Sequence, residues 1–401
     1  MKKTVTIGDL GTIITGKTPP TTNKNYYGDY AVFIKPTDIS EQSKFTYVTE
    51  EMYSKLAAEK YESSLVPKGA ICVPCIGTIG TKMTMTHCDC YTNQSINSIV
   101  CNDDFDNEYV YYLIKNFLPG LKAYNLGTAS GREYVSKSNF EKIELEVEQD
   151  KEIQKRIGMF LSRYDSLIEN YQKQIKLLEE AAQRLYKEWF IDLHFPGHEN
   201  TKIVDGVPEG WEKKKVREIG KVITGKTPST AKKEYYGGQI PFITIPDMHT
   251  GIYPTSSQFL SDLGANSQSG KFIPANSLMV SCIGTAGLVC ITKEECQTNQ
   301  QINSLVLNDN SLLYYMYNTF LSLKEHLYNI GSNGATMTNV NKSKFESIEI
   351  LIPNNSISNL YNKAVEQSFR GIKTLSSQIR LLTEARDRLL PKLMSGEIKV
   401  S

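Results

Sequence analysis

The amino-acid sequence predicts an α+β protein with two mixed α/β globular domains separated by two long antiparallel coiled-coil helices. Nearly the whole chain is repeated once, each copy opens with short β-rich runs, and each copy closes with apolar residues at helical spacing. We divide the chain into a first globular domain at 1–148, a first long helix at 149–192, a linker with the second globular domain at 193–352, and a second long helix at 353–401.

The internal repeat is an ordered series of matching segments. The segment Ile14 to Pro19 (ITGKTP) returns at 223–228, an offset of 209. Within the predicted helices, Gln174-Ile175 returns as Gln378-Ile379, an offset of 204. Because the matches keep their order while the offset slips by only five residues, the chain is a tandem duplication with pseudo-two-fold character.

The first part of each copy reads as mixed secondary structure. In the first copy, β-rich runs at 31–34, 70–73 and 96–100 alternate with Gly, Pro, Asn and Asp clusters that are typical of turns. A helix is predicted near 107–122.

The second part of each copy reads as one long helix. The first apolar seam comprises Ile153, Ile157, Phe160, Tyr164, Ile168, Tyr171, Ile175, Leu178, Ala182, Leu185 and Trp189. The second comprises Ile372, Leu375, Ile379, Leu382, Leu389 and Leu393. Arg386 interrupts the second series. In the first, the spacing 164 to 168 to 171 follows 157 to 160 to 164, which leaves one extra residue in the heptad count and predicts a local stutter. Each helix needs a partner, and its own repeat is the nearest candidate.

Composition restricts the class of protein. Of the 401 residues, 40% are hydrophobic and 22% are charged, which suits folded domains. No apolar run approaches the ~18 residues of a membrane span, and no signal peptide is recognisable, so we expect a cytoplasmic protein with reduced cysteines. A stand-alone DNA-binding domain is often strongly basic, so the net charge of +1 either counts against such a domain or implies that positive charge is local or supplied by a partner.

Motifs for catalysis are missing from the sequence. There is no Asn/Asp-Pro-Pro-Tyr/Phe loop for holding a flipped base and no strand–Gly-x-Gly–helix cofactor site. Asp247 follows a proline, but no Glu-x-Lys lies close behind it to complete a nuclease centre. The sequence therefore predicts a non-catalytic chain.

Two motifs imitate ligand sites. Gly16-Lys17-Thr18 resembles part of a phosphate loop, but the required upstream glycine is missing in both copies, which argues against an ATP site. Because the same lysine recurs in both copies, we favour a contact with a DNA phosphate over a merely solvated lysine. Cys72-x-x-Cys75 with Cys88-x-Cys90 imitates a zinc tetrad. Because Cys72 and Cys88 have no cysteine counterpart in the second copy, buried apolar thiols are the favoured interpretation.

Other polar residues leave alternatives open. The tyrosines before Gly28 and Gly237 either contact DNA or close the domain cores. Asn93, Gln94 and Asn97 are more often structural groups in a turn, although such side chains also read adenine. The histidines form no repeated constellation and receive no role.

The ordered motifs resemble the specificity subunit of Type I restriction–modification systems. The resemblance covers nearly the whole chain and rests on the repeated ITGKTP and Tyr-Tyr-Gly segments and on the glycine turns. It also rests on the entry to the second domain at Val207 to Trp211, and on the helix endings at 184–190 and 390–398.

The resemblance implies a function and its partners. The globular domains would be target recognition domains that read the two halves of a bipartite, gapped sequence in double-stranded DNA, with the helices setting the gap. Two modification subunits would carry S-adenosylmethionine and methylate adenine at N6, and restriction subunits, where present, would use ATP and Mg²⁺. No cofactor is expected on this chain. The alternatives are the specificity subunit of a related enzyme that cuts on both sides of its site, and a structural adaptor that binds proteins through its helices.

Candidate DNA-binding residues lie in the repeated loops and the glycine turns, and beside the glycine-rich segments near 127–131 and 331–334. They are Lys17, Tyr26, Tyr27, Lys35, Gly77, Thr78, Gly80, Arg132, Lys137, Lys226, Tyr235, Tyr236, Gly284, Thr285, Gly287, Lys342 and Lys344. The two copies differ at some matching loop positions, where Lys35 faces Thr244. We therefore expect an asymmetric target rather than a palindrome.

Overall fold

The computed structural model describes residues 2–77, 79–125, 127, 133–332 and 338–400. Thr78, Arg132, residues 128–131 of the first glycine-rich segment and residues 333–334 of the second lie outside this set. The expected α+β architecture, with a duplicated mixed domain and long helices, is confirmed.

The first globular domain, or first head, is formed by the part of the chain that precedes the first long helix. Its strands are β1 (Lys2–Thr6), β2 (Gly11–Thr15), β3 (Tyr27–Ile34), β4 (Met52–Tyr53), β5 (Ile71–Pro74), β6 (Thr84–Met85), β7 (Tyr91–Thr92), β8 (Ile96–Cys101) and β9 (Glu144–Glu148). Its helices are α1 (Ile7–Leu10), α2 (Lys55–Lys60), α3 (Asn107–Phe117) and α4 (Lys137–Glu141). The first long helix, α5, spans Lys151–Tyr186 and continues as a π-helical segment over Lys187–Ile191.

The second head follows after the strand pair β10 (Ile203–Val204) and β11 (Val207–Pro208). Its strands are β12 (Glu212–Lys215), β13 (Gly220–Thr224), β14 (Tyr236–Ile243), β15 (Gln258–Leu260), β16 (Leu278–Ser281), β17 (Val289–Ile291), β18 (Gln297–Thr298), β19 (Ile302–Leu307) and β20 (Glu349–Ile352). Its helices are α6 (Val216–Ile219), α7 (Ile245–Met248), α8 (Asp262–Asn266), α9 (Leu313–Ser322), α10 (Lys324–Ser332) and α11 (Lys342–Glu346). The second long helix, α12, spans Asn355–Ser395.

The two heads have matching sheet topologies. A four-stranded antiparallel sheet runs β2-β8-β5-β6 in the first head and β13-β19-β16-β17 in the second. A three-stranded sheet runs β4-β3-β7 and β15-β14-β18, with the last pair parallel in both heads. A two-stranded sheet joins the first and last strands of each head, β1 with β9 and β12 with β20. The repeat seen in the sequence is thus a repeat of backbone pairing.

Contacts divide the chain into two compact units, and the boundaries between the units fall within the two long helices. The first unit contains Met1–Asn170 and Ile379–Ser401, and the second contains Tyr171–Gln378. Within the first unit, Leu390 and Leu393 of α12 belong to the core of the first head. Within the second unit, Ile357 of α12 shares a core with the second head. Each head is therefore completed by segments from both helices.

The buried positions of α5 have the same spacing as the apolar seam in which the stutter is predicted. The buried series runs Ile157, Leu161, Asp165 and Ile168 in steps of four, four and three, while Phe160 is only partly buried. Two consecutive steps of four retain the extra residue of the heptad count, and a charged residue occupies one of these core positions.

Candidate nucleic-acid interface

The ITGKTP segment is held against the neighbouring strand by its glycine. A Cβ at Gly16 would lie 2.1 Å from the carbonyl oxygen of Thr92, so only glycine permits this approach. The amide of Lys17 donates to that carbonyl at 2.9 Å. In the second head Lys226 donates to Thr298 at the same distance. The backbone of both lysines is therefore fixed in the same way.

The side chains of these lysines point outward. Lys17 and Lys226 are both exposed, and among the described residues neither forms a salt bridge with a carboxylate. The Lys17 ammonium lies 3.5 Å from the Ser63 hydroxyl. A fixed backbone with an ammonium that no carboxylate neutralises suits an electrostatic contact with phosphate.

The two tyrosines of each pair are all half-buried but have different partners. Tyr27 and Tyr236 donate through their hydroxyls to Pro19 (2.9 Å) and Pro228 (2.7 Å), which ties the lysine loop to the sheet in each head. Burial raises the pKa of both phenols. These two tyrosines therefore stabilise the loop.

The other tyrosine of each pair has a lysine ammonium over its ring. The Lys60 ammonium lies 4.6 Å from the centre of the Tyr26 ring and donates to its hydroxyl at 2.5 Å. Lys232 does the same at Tyr235, at 5.0 Å from the ring centre and 3.0 Å from the hydroxyl. Each head thus presents an aromatic ring with a cation beside its lysine loop.

The Asn and Gln side chains at 93–97 and the matching ones at 299–303 form hydrogen bonds within the protein. Asn97 accepts from Thr15 at 2.7 Å, and Gln94 accepts from Thr18. Asn93 accepts from the backbone amide of Ser95 at 3.0 Å. The second head repeats these bonds, with Asn303 accepting from Thr224, Gln300 from Thr227 and Asn299 from Gln301. This is the structural alternative of the two that the sequence left open.

A glycine turn in each head pairs with the residues that follow the glycine-rich segment in the sequence. Gly77 and Gly80 have φ of 88° and 75°, in the left-handed region that favours glycine, as do Gly284 and Gly287. The Gly77 amide donates to Glu133 at 2.9 Å, and that of Gly284 donates to Thr338 at 3.0 Å.

Isolated antiparallel bridges strengthen this pairing. They join Ile76 to Tyr134 and Ile283 to Asn339. The start of each turn is thus paired with the residues that follow each glycine-rich segment, and Thr285 of the second turn is exposed.

The remaining predicted lysines differ in how strongly neighbouring groups in the protein bind their ammonium groups. Lys35 forms salt bridges with Glu50 (2.6 Å) and Glu51 (3.1 Å). Burial alone would lower the Lys35 pKa, but the two carboxylates outweigh it and raise the pKa. Its charge is thus compensated inside the first head, whereas the matching Thr244 bonds the carboxylate of Asp247 at 2.7 Å.

The lysines of the two short helices near the glycine-rich segments are only lightly held. Lys137 pairs with Glu141 at 3.6 Å and Lys342 with Glu346 at 3.5 Å. Such exposed pairs contribute about 0.3–0.5 kcal/mol and leave the lysines able to turn towards another anion. Lys344 instead donates to the carbonyl of Ile330 at 2.7 Å, near the end of α10.

One repeated cation escaped the sequence analysis. A Cβ at Gly80 would lie 3.0 Å from Cγ of Lys122, and a Cβ at Gly287 would lie 2.6 Å from Cγ of Lys324. Both lysines are exposed, and each lays its stem against the glycine turn. The available signal was a lysine that recurs at an offset of 202.

Six of the eight cysteines are buried, whereas Cys88 and Cys101 are partly exposed. Burial raises the pKa of the Cys72 thiol to about 12, and that of Cys75 likewise to about 12. Cys75 and Cys282 each donate to a backbone carbonyl at 3.4 Å. Zinc ligation requires thiolates, and the described part of the chain holds no group of three or more residues placed to bind a metal.

The acidic residues of the heads also bond within the fold. Asp38 accepts from the backbone amides of Lys35 (2.7 Å) and Glu50 (3.1 Å). Asp247 accepts from those of Thr244 (2.8 Å) and Ser257 (2.9 Å).

Within the described residues, no helix is both long and apolar enough to cross a membrane.

The fold and the site define a class of protein in which one loop-bearing scaffold occurs twice and presents lysines, aromatic rings and glycine turns at matching places. A family model described as the Type I restriction modification DNA specificity domain matches residues 2–180 and 208–389, one match for each repeat. The chain therefore belongs to the family of DNA specificity subunits of Type I restriction–modification systems, and its function is recognition of a DNA target.

Individual relatives agree with this assignment. The chain is 35% identical to the Type I restriction enzyme HindI specificity subunit of Haemophilus influenzae, over 62% of this chain and 68% of that protein. It is 29% identical to the MjaIX specificity subunit of Methanocaldococcus jannaschii, over 98% of this chain and 93% of that protein. The solved S subunit from M. genitalium matches with a TM-score of 0.61 at 15% identity, covering 98% and 96% of the two chains, which shows a shared fold.

Proposed function

We propose that each head reads one half of a bipartite, gapped DNA target and that the two halves differ in sequence. The observation that carries the proposal is the glycine turn paired with the residues after the glycine-rich segment, present in both heads. Around this common framework the side chains differ, with Glu133 in the first head where Thr338 stands in the second. Carboxylates and hydroxyls read different base edges, so the half-sites should be unlike.

Phosphate contacts position each head in this proposal. Lys17 and Lys226 lie at matching places, as do Lys122 and Lys324 beside the turns. Because lysine binds phosphate as a point charge, these contacts would fix the register of each head without reading sequence. Half-sites read from one face of the duplex would have their centres about 10 base pairs apart.

The catalytic steps belong to other subunits in this proposal. Two modification subunits with S-adenosylmethionine would methylate adenine at N6, and restriction subunits would add ATP- and Mg²⁺-dependent cleavage. Support for docking on the helices comes from five large apolar side chains that stay about half exposed. They are Met159, Leu167 and Leu381 in the first unit, and Leu177 and Leu360 in the second.

The test is to co-express the full chain with modification subunits and to sequence the methylated DNA by single-molecule reads. The expected result is N6-methyladenine in a two-part motif with unlike halves. The purified chain alone, given DNA, S-adenosylmethionine, ATP and Mg²⁺, should neither methylate nor cleave. Robust activity of the isolated chain, or binding to DNA that does not weaken as salt rises, would contradict the proposal and favour an enzyme or a protein adaptor respectively.

A further inference from the structure

A buried ion pair joins the two long helices within the first unit. Asp165 of α5 and Arg386 of α12 are only 7% and 5% exposed, and the guanidinium of Arg386 bonds directly to the Asp165 carboxylate. Arg386 also contacts Asp387 at 2.8 Å, and the hydroxyl of Tyr112 on α3 donates to Asp165. Burial alone would lower the pKa of Arg386, but the two carboxylates outweigh it and raise the pKa. Both charges are satisfied only when these two segments meet.

The second unit has an apolar pair at the matching place. The helices repeat at an offset of 204, so Asp165 corresponds to Phe369 (165 + 204) and Arg386 to Ala182 (386 − 204). Phe369 and Ala182 are buried in the apolar core of the second unit. The Phe369 ring stacks on Tyr314, with ring centres 4.1 Å apart. Two related helix interfaces thus carry opposite chemistry at one equivalent position.

We infer that Asp165 and Arg386 select the helix partner, so that α5 pairs with α12 of its own chain and not with α5 of a second copy. The duplication makes the wrong pairing available, because residues 175–191 repeat residues 379–395. In an α5–α5 pair, Asp165 of each copy would face Ala182 of the other. In an α12–α12 pair, Arg386 would face Phe369. Every mismatched contact would leave a buried charge without its ionic partner on the other helix, which is strongly destabilising.

Stability alone does not account for the pair. Replacing a buried ion pair by well-packed apolar residues is often neutral or stabilising, and the second unit shows that this scaffold accepts phenylalanine and alanine at the same place. What an ion pair adds is discrimination between partners, as polar residues do at core positions of coiled coils. If the two heads read different half-sites, selective pairing also ensures that every assembled molecule contains one first head and one second head. This consequence rests on the proposed function, whereas the selection of the helix partner does not.

The experiment compares three full-length chains, each co-expressed in two differently tagged copies. They are the native chain, the apolar variant Asp165→Phe/Arg386→Ala, and the reversed variant Asp165→Arg/Arg386→Asp. Capture through one tag, followed by quantification of the other, measures pairing between copies. Mixed species should increase roughly tenfold or more in the apolar variant, the ratio that ~1.4 kcal/mol of lost discrimination gives. The reversed variant keeps a complementary pair and should mix as little as the native chain.

Folding is checked separately so that a misfolded variant cannot imitate selection. The single change Arg386→Ala strands the Asp165 charge and should lower the denaturation midpoint, while the apolar double variant should recover it. A folded apolar variant that mixes no more than the native chain would overturn the inference. So would a reversed variant that mixes as much as the apolar one.

Discussion

Replacing Gly225 with alanine should loosen the lysine loop of the second head. An added Cβ would lie 2.1 Å from the carbonyl oxygen of Asn299 and 2.4 Å from that of Thr298. Both obstacles are backbone atoms, so the loop must move rather than a side chain. Movement would break the bond from Lys226 N to Thr298 O (2.9 Å) and that from Gly225 N to Ile302 O (3.0 Å).

The expected cost follows from these contacts. Overpacking costs about 1–3 kcal/mol, and each lost backbone hydrogen bond costs about 0.5–1.5 kcal/mol. A local loss of about 2–6 kcal/mol corresponds to a roughly 30- to 20,000-fold faster exchange of the Lys226 amide, at about 1.4 kcal/mol per factor of ten. Hydrogen–deuterium exchange of the full chain measures this directly.

The matched control is Gly270→Ala in the same unit. A Cβ there would meet no atom within 4 Å, so this change should leave the protection of Lys226 as it is. If Gly225→Ala protects Lys226 as well as the control does, the close approach does not hold the loop. The functional companion is the methylated motif, in which only the second half-site should weaken.

Three further changes test the division between heads and helices. Lys17→Ala and Lys226→Ala should each weaken DNA binding by the assembled complex about equally across sequences and lower the salt slope by about one; a changed motif would show base reading instead. Exchanging residues 1–148 for the matching domain of a relative should keep assembly and alter one half of the methylated motif, so loss of assembly would place partner contacts in that head. Four residues added between Gln174 and Leu185, with a matched insertion in α12, lengthen the helices by about 6 Å, and the gap should grow by about one or two base pairs of ~3.4 Å. An active lengthened complex with the original gap would show that the helices do not set it.

The duplication and the long helices were predictable because they leave periodic signals in the sequence. The partition of the helices between units was not, because it depends on contacts between distant parts of the chain. Lys2 donates to the carbonyl of Met394, at the opposite end of the sequence. No local pattern encodes such a pairing, although the core position of Leu393 could be expected from helical spacing.

The candidate site was predictable in its repeated backbone features and less so in its side chains. Recurrence pointed to Lys17 and its loop, whose backbone the structure fixes in both heads. Recurrence did not reveal that Tyr27 would bond the chain at Pro19, or that Lys35 would be engaged by two glutamates. These partners lie on neighbouring loops, and their identity depends on tertiary packing rather than on spacing.

The two repeats agree in the hydrogen bonds that hold their loops and differ at residues that would choose a partner. Bonds that hold loops recur almost unchanged, as in Thr15 with Asn97 (2.7 Å) and Thr224 with Asn303 (2.6 Å). Differences occur where a partner would be chosen, as at the buried Asp165 of the helix interface. Under the proposed function, a chain that reads an asymmetric target needs both unlike heads and a selective helix interface, because unlike heads serve such a target only when one chain supplies both. Divergence at the glycine turns and at the helix interface would then meet one requirement, that a duplicated scaffold present two unlike surfaces.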